Sequence, residues 1–137
     1  MADPESAVVT KIATMSAWTK NTNLFRGPLL GDEDYGAVIP RLAVFVRLTG
    51  GPPAMAFSGL TKSTQEHDYN VQVILRGNPD VYGSTRTLAN AIYDTLHDST
   101  ITGYYSVRVV ESAPIHMGQD ERRSHIFNMN VRLRILD

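Results

Sequence analysis

The chain has 137 residues, 42% hydrophobic and 20% charged, which is the ordinary range for a globular domain. It contains no cysteine, which excludes disulfides, thiolate catalysis and cysteine-bound zinc. Its 13 Lys and Arg and 14 Asp and Glu give a net charge of −1, which argues against tight non-specific DNA binding. The sequence has no apolar run that could span a bilayer and no secretory signal at its N-terminus, so we expect synthesis in a cytoplasm and no membrane partner.

The first predicted element is an amphipathic helix from Pro4 to about Trp18. Asp3-Pro4-Glu5 combines a capping side chain, a proline at the first helical position and an acid in the first turn. Apolar residues then recur at intervals of three or four. Trp18 is expected to anchor a core or an interface, because tryptophan is packed there more often than it is offered to a ligand.

The next segment combines short strand patterns with loops. Leu24-Phe25 is a possible short strand, and the acidic run Asp32-Glu33-Asp34 lacks the ligand spacing of a calcium loop, so we interpret that run as a solvated loop. Ile39 to Thr49 have the two-residue period of a strand. A brief return strand within Ala54 to Ser58 and a polar loop from Thr61 to His67 are predicted to follow.

The stretch from Asp68 to Asp98 predicts a strand, a turn and a helix in succession. Val71 to Arg76 alternate between two chemically different faces, as in a half-buried strand. Gly77-Asn78-Pro79 is predicted to end that strand, and Asp80 to cap the following helix. The apolar stripe by which this helix would pack on a sheet contains Val81, Thr85, Leu88, Ile92 and Leu96.

Two further strands are predicted, from Tyr104 to Glu111 and from Ser124 to Leu136, with a polar turn from Pro114 to Arg123 between them. The order helix, strands, helix, strands predicts an α+β fold in which a mainly antiparallel β-sheet is packed by two α-helices. The length of the chain predicts that residues 1–137 form a single domain.

No residue pattern predicts a catalytic, cofactor or metal site. His67, His97, His116 and His125 lack the mutual spacing of metal ligands. No serine lies in a Gly-x-Ser-x-Gly turn, and no lysine lies in a phosphate-binding glycine loop. We therefore expect a protein that is not an enzyme and that needs no cofactor or metal.

Several arginines occupy strand positions opposite to the apolar ones. Burying an unpaired guanidinium is costly, so we expect these arginines to be wetted or paired across an interface, and not to lie in a core. Phe45 shares their side of the sheet, which indicates that another chain covers part of it. The arginines are Arg47, Arg76, Arg108, Arg132 and Arg134.

A dense mixed-charge segment, Asp120-Glu121-Arg122-Arg123, lies at a predicted hairpin tip. Taken alone, the segment is typical of a solvated turn. Phe45 and the strand arginines, by contrast, are predicted to belong to a subunit or partner interface.

The C-terminal half also contains a recurring order of features. A strand ends in Arg76-Gly77, an acidic helix start follows at Asp80, and a turn from Pro114 to Glu121 leads into a final strand containing Asn128 and Asn130. With this order and spacing, residues 71–98 and 107–135 resemble the tail-terminator, or tail-completion, proteins of long-tailed bacteriophages, a family often grouped with minor capsid proteins.

The resemblance implies a non-enzymatic virion protein that forms a ring, commonly a hexamer, at the head-proximal end of the tail. In such a ring Asp120, Glu121, Arg122 and Arg123 would belong to a subunit interface, because closely spaced opposite charges can pair with those of a neighbouring copy. Such a ring caps the tail tube protein, ends tube polymerisation and offers a surface for head–tail joining through a head-completion or neck protein. DNA would pass through the ring without tight binding. The sequence leaves three alternatives open: a neck or head-completion protein, a nucleic-acid-binding sheet module, whose stacking aromatic motif is missing here, and a small enzyme of unknown chemistry.

Overall fold

A computed structural model describes residues 3–27, 39–51, 55–56 and 65–136. These residues contain two helices, α1 (Pro4–Ile12) and α2 (Tyr82–Leu96). The strands are β1 (Leu24–Arg26), β2 (Ala43–Gly50), β3 (Met55–Ala56), β4 (Gln65–Pro79), β5 (Ser106–Val109), β6 (Ile115–Gln119) and β7 (Ser124–Leu136).

The strands form one sheet in the order β1, β2, β4, β7, β5, with β3 paired to β4 and β6 paired to β7. β1 and β2 run parallel, and the other pairs run antiparallel. At the centre, β4 and β7 pair from Glu66 with Leu136 to Arg76 with Ile126. The predicted α+β fold, a mainly antiparallel sheet packed by two helices, is confirmed.

Both helices pack on the same face of the sheet and enclose the main core. Alternate residues of β4 and β7 point to this face, including the register partners Val73 and Met129, which are fully buried. Ile12 of α1 and Ile92 of α2 cover them from the helix side. Each buried aliphatic side chain of this kind contributes roughly 1.5–3 kcal/mol, so this face provides most of the hydrophobic stabilisation.

The opposite face, here called the helix-free face, divides into an apolar part and a polar part. Phe45 of β2 and Ile74 of β4 are register partners and pack in a second, smaller apolar cluster. The ring of Phe25 stacks on that of Phe45 with 5.6 Å between centroids. Towards β5 the same face carries polar and charged residues, such as Asp68 opposite Arg134.

Helix α1 ends at Ile12 and does not continue to Trp18 as predicted. Its start is as expected, since the Asp3 carboxylate accepts a hydrogen bond from the Ser6 N–H at 3.1 Å. After the helix the Met15 N–H donates to the Ile12 carbonyl, which tightens the backbone into a turn. This turn brings Trp18 back to the core, where it is 2% exposed, so its predicted role as an anchor is confirmed.

Strand β4 is longer than the predicted Val71 to Arg76, and its predicted stop at Gly77-Asn78-Pro79 is wrong. An irregularity between Arg76 and Pro79 keeps the strand paired with β7 as far as Ser124. Gly77 is instead required by close packing. A Cβ at this position would lie 2.1 Å from the hydroxyl oxygen of Thr85 in α2.

The predicted cap of α2 is also wrong. Asp80 adopts a left-handed conformation with φ of 62°, and its carboxylate lies 2.5 Å from the Arg123 guanidinium. Val81 takes the N-cap position without a side-chain hydrogen bond and is exposed. Of the predicted apolar stripe, Thr85, Ile92 and Leu96 are buried and Leu88 is half-buried.

Some of the remaining strand boundaries differ from the predicted ones, because pairing with a neighbouring strand sets where a strand begins and ends. β7 has its predicted bounds, and β1 and β3 confirm the two short strands, whereas β2 begins at Ala43 and not at Ile39. β5 is shorter than the predicted strand, and the predicted polar turn from Pro114 contains β6, so only residues 120–123 form the turn. The acidic run at 32–34 and the predicted loop residues 61–64 lie outside the described residues.

Candidate subunit interface

Arg76 and Phe45, both predicted to lie at an interface, are buried within the chain. Arg76 is only 7% exposed, and its guanidinium donates to the carbonyls of Pro40 and Arg41, each at 2.9 Å. The guanidinium carbon lies 5.4 Å from the centre of the Phe45 ring. The expectation that these arginines avoid the core is therefore wrong for Arg76, because backbone carbonyls and an aromatic ring supply its partners.

Arg47 stays on the surface of β2. Its Nε donates to the side-chain oxygen of Gln72, its register partner on β4, at 2.9 Å. This hydrogen bond leaves the positive charge without a carboxylate among the described residues. Arg47 therefore remains available to a partner. It lies on the same helix-free face as Arg132 and Arg134, with β4 between its strand and theirs.

The three remaining strand arginines lie together on β5 and β7. Arg108 is the register partner of Arg132, and Ser106 that of Arg134. Because alternate residues of a strand share a face, all of these side chains lie on the helix-free face. They line a cleft of about 380 Å³, here called the arginine cleft.

The arginine cleft carries more cationic than anionic groups. Arg108 Nε lies 3.1 Å from the Asp98 carboxylate, and Arg134 Nε lies 3.2 Å from that of Asp68. Arg132 has no carboxylate partner among the described residues, and its Nε is buried without a hydrogen bond. A buried donor without an acceptor is unfavourable, so the cleft favours an incoming acceptor, and a carboxylate would bind most strongly.

The C-terminal end of α2 fixes the rim of the arginine cleft. His97 follows the helix, and its Nδ1 accepts a hydrogen bond from the Val109 N–H of β5 at 3.1 Å. Asp98 then adopts a left-handed conformation with φ of 52°. The Tyr93 hydroxyl donates to the Glu111 carbonyl at 2.9 Å. These bonds hold β5 against the helix, so the cleft is formed before any partner arrives.

The turn between β6 and β7, residues 120–123 and here called the β6–β7 tip, is braced through Asp120. Its carboxylate pairs with Arg41 and accepts hydrogen bonds from the Arg122 and Ser124 N–H groups, each at 3.0 Å. Burial alone would raise the pKa of Asp120, but the bonds from Ser124, Arg41 and Arg122, with the positive charge of Arg41, lower it below its ordinary value.

Two of the four predicted tip residues have ion-pair partners within the chain, although the Arg123 side chain is 71% exposed. Arg123 adopts φ of 64° and pairs with Asp80, and Asp120 is held by Arg41. Glu121 and Arg122 are exposed, and their side chains make no ion pair within the part of the chain that the structure describes. The structure thus divides the tip into two bracing residues and two that can meet a partner.

One edge of the sheet exposes apolar side chains. β4 occupies one side of β7, so β5 and β6 both lie on its other side and form what is here called the β5–β6 edge. No other described strand pairs with this edge. Tyr105, Val110, Ile115 and Met117 along it are 55%, 55%, 40% and 61% exposed. An open strand edge with exposed apolar side chains favours the docking of another chain.

A histidine pair next to the tip escaped the sequence analysis. His116 Nε2 lies 2.9 Å from His125 Nδ1, and His125 Nε2 lies 3.2 Å from the Gln119 amide. Tyr82 packs edge-on against both rings. Only the register of the β6–β7 hairpin, which brings residues nine positions apart together, could have indicated this pair from the sequence. The contact between the two rings links β6 to β7 beside the tip. Among the described residues, no three His, Cys, Asp or Glu side chains are placed to hold a metal ion.

A larger cleft, of about 640 Å³, lies between α1 and the loop at 100–104. Its charged lining residues are Asp3 and Lys11. Asp3 caps α1 and pairs with Arg26 at 2.9 Å, and Lys11 donates to the Thr100 carbonyl at 3.4 Å. Both groups have structural partners, so this cleft presents no poised acid and base of the kind that general acid–base catalysis requires.

Compared with known proteins, the chain matches no protein-family model and no curated protein. Neither helix in the described residues is long and apolar enough to cross a membrane. The features that bear on function are therefore the β5–β6 edge, the arginine cleft and the β6–β7 tip, together with the resemblance in the sequence.

Proposed function

We propose that the protein is a structural subunit of a bacteriophage virion, a tail terminator that forms a ring of six subunits at the head-proximal end of the tail. One observation supports the proposal: the described residues expose two patches of different chemistry. One is the β5–β6 edge with the arginine cleft, and the other is the β6–β7 tip. Contacts between two different patches of identical subunits run head to tail, and they close into rings when the rotation allows it.

The ring would end tail polymerisation by presenting two unlike faces. One face would dock on the last layer of the tail tube protein, and the other would not repeat the tube's docking surface, so no further tube subunit could add. The second face would instead meet a head-completion or neck protein. This function requires matched surfaces and no chemical step.

DNA would travel through such a ring without being held. Strong phosphate binding needs clustered cations that lack acidic partners. Here Arg108 and Arg134 pair with Asp98 and Asp68, and Arg76 is buried. We expect a duplex-DNA titration at physiological salt to show no appreciable binding. Tight binding with a steep salt dependence would instead favour a neck component that grips DNA.

The helix-free face does not favour a sheet module that binds RNA. Such modules stack bases on exposed aromatic side chains of their central strands. Phe45 is the aromatic residue of β2, and it is fully buried beside Phe25. On β4 and β7 this face carries polar or aliphatic residues, for example Gln72 opposite Asn130.

The test is a tail-tube assembly reaction, with and without the purified protein, followed by electron microscopy. We expect rings at one end of each tube, and shorter tubes when the protein is present during polymerisation. The control adds the same amount of protein after assembly is complete, which should cap tubes without shortening them. Unchanged tube lengths with no end-bound density would overturn the proposal, and binding to the portal but not to the tube would identify a neck protein.

A further inference from the structure

We infer that Glu121 at the β6–β7 tip of one copy enters the arginine cleft of the next copy. The inference rests on the proposed ring-forming function and identifies the two surfaces that would meet at each subunit contact. Its ligand is a carboxylate side chain supplied by a second copy of the chain. The cleft is therefore completed only in the assembled ring.

The arginine cleft lacks one carboxylate. It contains the guanidinium groups of Arg108, Arg132 and Arg134 but only two acidic partners, Asp98 and Asp68. The third guanidinium, that of Arg132, has a buried Nε with no hydrogen bond among the described residues. Arg132 as a whole is half-buried, so an incoming carboxylate would meet the accessible part of its guanidinium and balance its charge. Charge-assisted bonds of this type are among the stronger polar contacts in proteins.

Glu121 is the acid best placed to fill the cleft. Among the described Asp and Glu residues, only Asp94 and Glu121 have a carboxylate with no hydrogen bond or ion pair in the described part of the chain. Asp94 lies on the exposed side of the last turn of α2, within a helix, whereas Glu121 lies at a turn that projects from the sheet. The pairs made by Asp120 and Arg123 hold that turn in place, so little conformational entropy is lost when the turn docks.

The tip cannot reach the cleft of its own chain. Ser124 begins β7 next to the tip, and Arg132 lies eight residues further along the same strand. At about 3.3 Å per residue, these positions are roughly 26 Å apart. A contact between Glu121 and Arg132 must therefore join two copies through two different patches, which is the geometry that a closed ring requires.

A charge exchange tests the contact in the full chain by native mass spectrometry. Glu121→Arg and Arg132→Glu each place like charges together, and each alone should weaken self-assembly by about tenfold or more. An equimolar mixture should regain assembly, because the reversed cleft of one variant meets the reversed tip of the other and the unchanged surfaces meet at the next contact. The control, Asp94→Arg, makes a matched charge change on α2 and should assemble normally.

Cross-linking tests the same contact when free rings are short-lived. The chain has no cysteine, so Glu121→Cys combined with Arg132→Cys introduces the only two thiols. A disulfide requires Cα atoms within about 7 Å, which excludes a bond within one chain. Mild oxidation should give a ladder of linked subunits on a denaturing gel. The pair Asp94→Cys with Arg132→Cys should give no ladder above background.

The two sets of results separate this contact from the wider function. Failure of the mixture to regain assembly, or a ladder no stronger than that of the Asp94 pair, would overturn the inferred contact even if rings form by other surfaces. Rings that depend on the contact but do not cap tail tubes would support the contact and overturn the terminator function.

Discussion

The two faces of the sheet are built by the same strands but stabilised differently. On the face covered by helices, register partners such as Val73 and Met129 are fully buried and apolar. On the helix-free face, Gln72 lies opposite Asn130, and Arg132 lies opposite Asn70 with its Nε unsatisfied. The first face buries its apolar side chains within one chain, whereas part of the second exposes polar groups or leaves them without a partner among the described residues. We therefore expect substitutions on the two faces to separate folding from assembly.

The largest expected effect is on the helix-covered face. Ile92→Ala removes a fully buried side chain of α2, and it should lower the free energy of unfolding by roughly 2–5 kcal/mol because a cavity remains. Leu88→Ala is the matched contrast, since Leu88 is half-buried, and should cost about 1–2 kcal/mol. Urea denaturation measures both. A cost below about 0.5 kcal/mol for Ile92→Ala would show that α2 does not pack on the sheet.

A second prediction concerns the close contact between β4 and α2. Gly77→Ala should destabilise the chain by about 1–3 kcal/mol, because its Cβ would overlap the Thr85 side chain. The double variant Gly77→Ala with Thr85→Ala removes the obstructing atoms, so it should be less destabilised than the sum of the two single variants. Simple additivity in a double-mutant cycle would contradict this explanation of Gly77.

A third prediction divides the helix-free face itself. Arg76→Ala leaves the carbonyls of Pro40 and Arg41 without their donor and should cost about 1–3 kcal/mol of unfolding free energy. Arg132→Ala should change the unfolding free energy of the monomer by less than about 0.5 kcal/mol, since its side chain lacks a described partner. Equal losses for the two variants, measured at low protein concentration, would show that this face is complete within one chain.

The smallest expected effect is a pH dependence at the tip. The pKa of Asp120 is lowered on folding, so its ionised form stabilises the chain above the unfolded value of 3.8, and this contribution is lost as the pH falls through the lower folded value. Stability should therefore fall less steeply below about pH 4 in Asp120→Asn than in the unchanged chain. Glu121→Gln removes a similar charge from an exposed position and should keep the original slope.

Strands and helices whose apolar residues recur with a clear period could be predicted from the sequence. Features that depend on contacts between residues far apart in the sequence could not. The alternation in Val71 to Arg76 and in Ser124 to Leu136 identified the two central strands and their faces. The partners of Arg76 are carbonyls 35 and 36 residues away, so no local pattern could show that it is buried. The strand pattern placed Arg108 and Arg132 on the correct face, but only the pairing of β5 with β7 makes them neighbours.

The pairing of β4 with β7 has a consequence for how the chain folds. Glu66 pairs with Leu136, 70 residues later, while α2, β5 and β6 are formed by the residues between them. Contacts between positions so far apart close slowly, because much chain entropy is lost before they form. During synthesis, β4 therefore cannot pair with β7 until β7 has left the ribosome. Until then its Val71, Val73 and Leu75 are open to wrong partners, and the yield of folded subunits should depend on how quickly this one closure occurs.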